Sequence, residues 1–507
     1  MKKYFILVFS LLSVLLLVSC GSNPTHQAVG SDPVLRENAT REPENTATLV
    51  DNVLPSATST ATQIPPTQTP TLEPSPTQIP LITMPLIGSE PHHPESESTL
   101  TLLTEVGAQI IRFNGVVWYN VEPQEGQYDW GSLQKLDIAM RELAARDIEV
   151  ILIVRGTPDW AQKVPGSACG PIAQEKFGSF AIFMSELVRR YSQPPYNVKY
   201  WELGNEPDVA PELVPSNYPF GCWGDSADEN YGGGYYAEML KVVYPAVKSV
   251  DQEAQILIGG LLLDCDPYYP PEGKDCLPSR FLNGILANGG ANYFDIVSFH
   301  GYPPYQNQSM SQEWESPGWA ARGGVVVGKI DYLRSVMQQY GANKPLFLTE
   351  SSLLCPDGNK NECMPPDEHF YETQADYLVR LFVRNWALDV AGTIWYDFEG
   401  KGWRNGGLVG EDANNPKPAF QAFKYLNEKL VGMSYIGESP LPNGLQGYIF
   451  VDDDRETWVI WSQDESPQAM ELPSNVIAVY DKYGQAVALQ DQLEVSSPVY
   501  LDMVPNE

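Results

Sequence analysis

Seven short, almost continuous apolar runs recur along the middle of the chain, at 108–113, 148–154, 198–203, 255–259, 294–299, 345–349 and 392–396. A strand exposed on one face alternates apolar and polar residues. A run without that alternation has to be covered on both faces, the condition of a parallel strand under crossover helices. Helical patterns separate the runs. In 132–145, Leu133, Leu136, Met140 and Leu143 recur at helical spacing behind Ser132, a candidate N-cap. In 173–191, Phe177, Phe180, Met184, Leu187 and Val188 do the same, and further helices fit 233–250, 278–288, 329–340, 368–389 and 417–430. A less regular strand at 82–88, "ITMPLIG", completes the series. Eight βα units over ~350 residues make an α/β chain of the size of a (β/α)8 TIM barrel. The competing arrangement is an open doubly wound sheet, and no Gly-rich phosphate loop follows an early strand to support it.

From about 432 the period changes. "GLQGYIFVDDDRETWVIWS" reads as strand, Asp-rich turn, strand; "VIAVYDKYGQAVAL" repeats the theme and "SPVYLDMV" closes it. The expectation is a barrel over 81–431 followed by a small C-terminal antiparallel β-sandwich-like module over 432–507.

The first residues are an address. Lys2 and Lys3 precede an apolar run from Phe5 to Val18 that ends in Leu17-Val18-Ser19-Cys20. The run is too short to read first as a spanning helix and has the layout of a signal peptide over 1–20. Its end resembles a bacterial lipobox, which makes Cys20 the expected lipidation site. Residue 22 is Ser rather than Asp, and by resemblance to lipoprotein sorting this points away from inner-membrane retention. Residues 21–80 are rich in Thr, Pro, Ser and Asn, as in "ATSTATQIPPTQTPTLEPSPTQIP". Such a stretch buries too little apolar surface to fold and reads as a disordered tether. The expected location is therefore the bacterial cell surface or envelope, with membrane contact through the N-terminal lipid anchor only.

Export implies an oxidising compartment. Setting Cys20 aside leaves six cysteines, Cys169, Cys222, Cys265, Cys276, Cys355 and Cys363, an even number that reads as disulfides. Six allow fifteen pairings. Cys265 with Cys276 and Cys355 with Cys363 close short local loops, which leaves Cys169 with Cys222. No pair has Cys-x-x-Cys spacing, so no zinc or redox site is expected. With 64 acids against 32 bases the formal charge is −32, a field that repels nucleic acid and anionic head groups and excludes them as partners.

In a parallel barrel functional side chains gather where strands end. Strand two runs through Arg112 and is followed by Trp118. Strand three ends in "RGTPDW" at Trp160, and strand four in "WELGNEP" at Asn205-Glu206-Pro207. Strand six ends "FHGYPPY" with His300 and Tyr302, strand seven "LFLTES" with Glu350, and strand eight "TIWYDFEG" with Trp395. Two glutamates, Glu206 and Glu350, thus stand at the ends of separate strands. Either alone is as readily a turn residue or an ion-pair partner. Together they supply what cleavage of a glycosidic bond needs: one carboxyl held protonated as a general acid, and one ionised. Adjacent residues of a regular strand face opposite ways, so Asn205 and Glu206 both reach a pocket only if the strand breaks there.

"WELGNEP" and "LFLTES" resemble the acid/base and nucleophile strands of clan A glycoside hydrolases. "IIRFNGVVWYNVEPQEGQYDWGSLQKLD" followed by "RGTPDWA" is similar to strands two and three of family 39, the β-xylosidase and α-L-iduronidase group. The similarity spans about 105–430, and the β module has a counterpart in that family. Family members usually carry Trp before Asn-Glu-Pro, where this chain has Gly204. The resemblance implies a retaining double displacement on β-linked oligo- or polysaccharides, with no metal or other cofactor. Glu206 would be the acid/base and Glu350 the nucleophile, with Asn205 on the sugar 2-hydroxyl. Arg112 would keep Glu350 ionised, Tyr302 would hydrogen-bond it, and His300 would line the floor. Trp395 would be a flat platform under the sugar. Trp118, Trp160 and Trp403 are further candidates. The ordinary alternatives are a satisfied core histidine at 300 and a barrel-core tryptophan at 395. Long loops at 208–232, 264–277, 303–323 and 355–367 carry Trp223, Tyr268, Tyr269 and Trp314, which either line distal substrate positions or pack their loops.

Two readings of other classes compete: a surface lipoprotein that binds glycan on this barrel without cutting it, and an envelope lipoprotein whose barrel is only a scaffold. Neither has need of a second strand-end carboxylate.

Overall fold

The computed structural model describes residues 82–215, 218–355 and 366–504. The expected signal peptide, tether and lipidation site Cys20 lie outside the described residues, as does Cys363. No helix among the described residues is long and apolar enough to cross a membrane.

Eight parallel strands, one per expected run, form one sheet. In chain order the barrel strands are Leu86–Ser89, Ile110–Val117, Glu149–Arg155, Tyr200–Asn205, Gln255–Gly260, Val297–Gly301, Leu346–Ser351 and Gly392–Trp395, numbered one to eight below. Strand one pairs with two and with eight, and bridges Leu257–Ile296 and Leu261–Phe299 close the ring between five and six. The expected (β/α)8 barrel is therefore present. Helices Gln134–Ala144, Phe177–Tyr191, Gly233–Val250, Phe281–Ala287, Val325–Gln339, Glu368–Ala387 and Pro418–Leu430 fall where the 3.6-residue patterns place them, and Glu97–Glu105 adds one after strand one. Ser132 is not an N-cap: it lies within a 3-10 turn, Trp130–Leu133, that Asp129 caps by accepting from Gly131 N at 3.1 Å.

The segment 82–88 divides. Ile82–Thr83 pairs antiparallel with Ser434–Glu438, and only Leu86–Ser89 enters the barrel. The C-terminal part is a seven-stranded sheet, into which Ile82–Thr83 adds, plus the two-stranded pair Gln468–Glu471 and Gln492–Val495. Leu445–Val451 and Glu456–Ser462 form the hairpin read from the sequence, and Asp452 accepts from the Asp454 and Arg455 amides in its turn. Between the sheets Leu445, Trp458, Ile460, Met470, Val479, Leu493, Val495 and Leu501 make a core of their own. The module is pinned to the barrel by Lys482 on Glu372 and Asp376, and by Glu465, which accepts from Ser309 and the Met310 amide.

Inside the barrel, Ile110, Ile151, Leu257, Ile296, Phe347 and Ile394 interdigitate with Leu86 and Tyr200. This gives one inward side chain from each strand or, for Ile296, from the residue just before strand six, and it is a packed floor rather than a pore. What stands above that floor is set by the two-residue period of a strand.

Candidate active site

Counting two residues up from the floor on strands two, four, six and seven reaches Arg112, Glu202, Ser298 and Thr349, all fully buried. Apolar floor gives way to a polar layer, and Arg112 is its hub. Nε donates to Glu202 at 2.6 Å, Nη1 to Glu90 at 2.7 Å and also to Glu350, and Nη2 to Asn205 Oδ1 at 2.6 Å. Ser298 and Thr349 donate to the other oxygen of Glu202. A guanidinium offers its donors in a fixed fork, so one side chain sets the positions of three carboxylates and an amide at once.

The strand breaks where the sequence requires it to. Gly204 has φ +92° and Glu206 φ +49°, so Asn205 turns toward Arg112 while Glu206 also faces inward. A left-handed φ is free for glycine and strained for other residues, so glycine suits position 204. Pro207 follows, and Asp208 secures the turn by accepting from the Leu262 and Leu263 amides at 2.9 and 2.8 Å.

Glu206 and Glu350 meet at His300. The Nδ1 of His300 lies 2.9 Å from Oε1 of Glu206 and 3.5 Å from Oε2 of Glu350. One oxygen of each carboxyl group lies within 4.8 Å of the other. Their surroundings differ. Burial pushes Glu206 up to about 7, with Arg112 and Lys329 offsetting only part of it. Glu350 receives Arg112 on one oxygen and the Tyr302 hydroxyl on the other. Burial drives His300 down to about 3, so the imidazole is neutral. Gly260 makes room for that ring: a Cβ there would sit 2.1 Å from His300 Nε2.

The structure brings Glu206, Glu350, Asn205, Arg112, His300 and Tyr302 together. It does not bring in Trp395. Strand eight turns Ile394 and the following Tyr396 inward, so Trp395 points to the helix layer. There it is fully buried against Tyr377, with Nε1 on Gly406 O at 2.8 Å. Trp118 is likewise corrected: it is buried among Trp160, Phe180 and Phe183 and donates to Glu122. Trp160 packs edge-on against it and donates to Glu122 O, away from the glutamates. The aromatic beside the pair is instead Trp403, 44% exposed, with its ring 5.0 Å from that of Tyr302. Trp223 packs on Tyr235 and Tyr236, and Tyr268 and Tyr269 lie out beside Arg322. Cys169–Cys222 and Cys265–Cys276 are disulfides; Cys355 is buried.

Seven residues in and just above this layer escaped the sequence reading: Glu90, Asn114, Arg155, Glu202, Ser298, Thr349 and Tyr396. Each stands an even number of residues from a floor residue on its own strand, so register would have found them once the floor was known. Glu206, His300 and Glu350 also offer a cation three ligand atoms within 4.8 Å. Both Glu350 oxygens already accept from protein donors, one of them a guanidinium, which disfavours a cation there.

A family model described as beta-galactosidase matches residues 91–166. No curated protein sequence matches the chain. Among solved structures, a family 39 glycoside hydrolase from the gut symbiont Bacteroides cellulosilyticus is 21% identical, with TM-score 0.61, over 83% of this chain and 81% of that one. A family 30 subfamily 8 xylanase from Clostridium acetobutylicum is 14% identical, with TM-score 0.55, over 84% and 97%. An α-L-arabinofuranosidase from Thermotoga maritima is 12% identical, with TM-score 0.54, over 85% and 98%. At these identities the likeness is one of architecture, and it is the architecture expected from the resemblance: the chain has the fold of the clan A, family 39-like glycoside hydrolases, a (β/α)8 barrel with a C-terminal β module.

Proposed function

We propose that the chain is a retaining glycoside hydrolase acting on β-linked oligo- or polysaccharides, with Glu206 as general acid/base and Glu350 as nucleophile. The observation that carries this reading is the pair itself: two carboxyl groups with oxygens within 4.8 Å, one half-buried and raised, the other buried and held by a guanidinium and a phenol. A spacing of ~5 Å suits direct attack by one carboxylate, whereas inversion needs ~6.5–9.5 Å to admit a water.

In the first step Glu350 attacks the anomeric carbon while the Glu206 proton passes to the glycosidic oxygen, and the carbon–oxygen bond to the leaving group breaks. In the second, Glu206 takes a proton from water, whose oxygen displaces Glu350 and restores both groups. Each step exchanges a proton and a carbon–oxygen bond, so the chemistry asks for no cofactor. Asn205, anchored on Arg112, would hold the sugar 2-hydroxyl. Tyr396 and Trp403 would take the platform role expected of Trp395. Two disulfides among the described residues suit an exported protein, and the lipid anchor at Cys20 is part of the same proposal.

The test is sugar release by the purified protein from aryl β-glycosides and plant or microbial polysaccharides, beside Glu206→Gln and Glu350→Gln. Release that collapses in both variants, with retained anomeric configuration, supports the reading. Tight binding of a glycan that neither wild type nor variants cleave overturns it in favour of a binding lipoprotein.

A further inference from the structure

We propose that Lys329, on the helix that follows barrel strand six, is a positioning residue of the active site: its ammonium ties the Glu206 turn to His300 and supplies the positive field under which Glu206 gives up and regains its proton. This rests on the glycosidase reading of the same site and adds to it a residue that acts through others rather than on the sugar.

Lys329 stands where an apolar side chain belongs. On the helix Val325–Gln339, Val326, Ile330 and Leu333 share its face and pack in the barrel core. Lys329 is 4% exposed, although taking an ammonium out of water is costly. Its Nζ makes no ion pair among the described residues. It donates instead to two main-chain oxygens, Leu262 O at 2.6 Å and His300 O at 2.8 Å.

Those two contacts close a ring around the acid. The amides of Leu262 and Leu263 hold the carboxylate of Asp208, two residues beyond Glu206. The Glu206 amide donates to Gly260 O at 2.9 Å, and the His300 amide to Leu261 O at 2.8 Å. His300 Nδ1 then meets Glu206 Oε1 at 2.9 Å. Lys329 therefore joins the segment that braces the Glu206 turn to the ring that touches the Glu206 carboxyl. It does so at the weakest seam of the barrel. Among the described residues, strands five and six share two isolated bridges, where every other pair of neighbours has a ladder.

Hydrogen bonding alone would not require a charge. The chemistry does: once Glu206 hands its proton to the leaving group it is left as a carboxylate, and a fixed cation nearby offsets that state. The carboxyl groups that act on the Lys329 ammonium come from several elements. They are Glu206 and Asp208 after strand four, Asp264 after strand five, and Glu313 of the short helix Gln312–Glu315, which Arg384 also holds. Burial brings the ammonium down to about 8 against their pull, so below that pH it keeps its charge. Arg112 is the other cation that acts on Glu206, but it is shared among three carboxylates. Lys329 and Arg112 also oppose protonation of His300, against the pull of Glu350.

Lys329→Gln separates the two roles, because an amide still donates to both carbonyls and carries no charge; Lys329→Met removes both. Infrared titration of the full chain follows the acid carbonyl band that Glu206→Gln removes, and needs no turnover. In Lys329→Gln that band should persist to higher pH by about half a unit or more, since loss of a cation raises a neighbouring carboxyl. On an aryl glycoside the alkaline limb of kcat/KM should move up by the same amount. On a dinitrophenyl glycoside below pH 7, where the second step needs Glu206 ionised, kcat should fall about threefold or more. Thermal midpoints report whether the variants fold. A Glu206 band that titrates alike in wild type and Lys329→Gln, or that shifts in Lys329→Met alone, overturns the proposal. Failure of the neutral variants to fold would make the lysine structural and overturns it too. A shifted band without hydrolysis of any glycoside sinks the glycosidase reading and leaves Lys329 coupled to Glu206; hydrolysis with an unshifted band does the reverse.

Discussion

Glu90 and Glu350 accept from the same nitrogen, Nη1 of Arg112, while Glu202 holds Nε of the same side chain. Three carboxylates under one cation are tolerable only while that cation is present. Arg112→Met should therefore destabilise the fold by about 3–5 kcal/mol at pH 8, the cost of stranding buried charges. Burial raises Glu90 and Glu202 while Arg112 offsets part of it, so in the variant both would titrate further above their unfolded values, and the stability they contribute is present in acid and lost as pH rises. The deficit should shrink at pH 5. Denaturant unfolding at both pH values measures it, and an equal deficit at each would show that packing, not charge, is what Arg112 supplies.

Burial pushes Glu206 up to about 7, so its proton is present below that pH and lost above it. With Glu206 as general acid, kcat/KM on substrates with poor leaving groups should fall as pH rises through about 7. Glu206→Gln should lose 10²–10⁴-fold on such substrates, far less on a dinitrophenyl glycoside, and should lose the alkaline limb. His300, driven down to about 3, adds no limb of its own near neutrality. An alkaline limb unchanged in Glu206→Gln would remove Glu206 from the acid role.

Gly260 offers a sharper probe of geometry. A Cβ there would lie 2.1 Å from His300 Nε2, and the ring that would have to move is the one between Glu206 and Glu350. Gly260→Ala should cost at least tenfold in kcat and about 1–3 kcal/mol of stability from overpacking. Glycosidase rates beside thermal unfolding would check this. A variant with wild-type rates would show that the position of His300 is immaterial to turnover.

The strands were legible because a strand covered on both faces is apolar throughout, and strands two to eight lie on the seven runs. Strand one was hard to read because its segment serves two sheets: Ile82–Thr83 pairs with Ser434–Glu438 and Leu86–Ser89 with strands two and eight. The glutamates could be read because each ends a strand in a motif. Glu90, Glu202 and Arg155 could not, because a polar residue inside a barrel is told apart only by counting from a floor residue, and the floor is a fact of closure. Trp395 failed by that same count. It is one residue from Ile394, which faces inward, and so faces out.

The Cys169–Cys222 and Cys265–Cys276 disulfides of the described residues should differ in what they contribute. Cys169–Cys222 spans 53 residues and Cys265–Cys276 spans 11. Closing the longer loop removes more freedom from the unfolded chain, about 4 kcal/mol against about 3 on the chain-entropy model. Replacing each pair by serine should thus lower the guanidinium midpoint more for the first. A functional difference should accompany it, because only the first pair ties the Phe220 loop to the loop after strand three. Loss of Cys169–Cys222 should raise KM while leaving kcat within a few-fold. Loss of Cys265–Cys276, which closes a loop beyond strand five, should change neither constant by more than about twofold. Unfolding curves and initial rates on the two double variants would measure both effects, and equal KM values would show that the Phe220 loop keeps its place without the bridge.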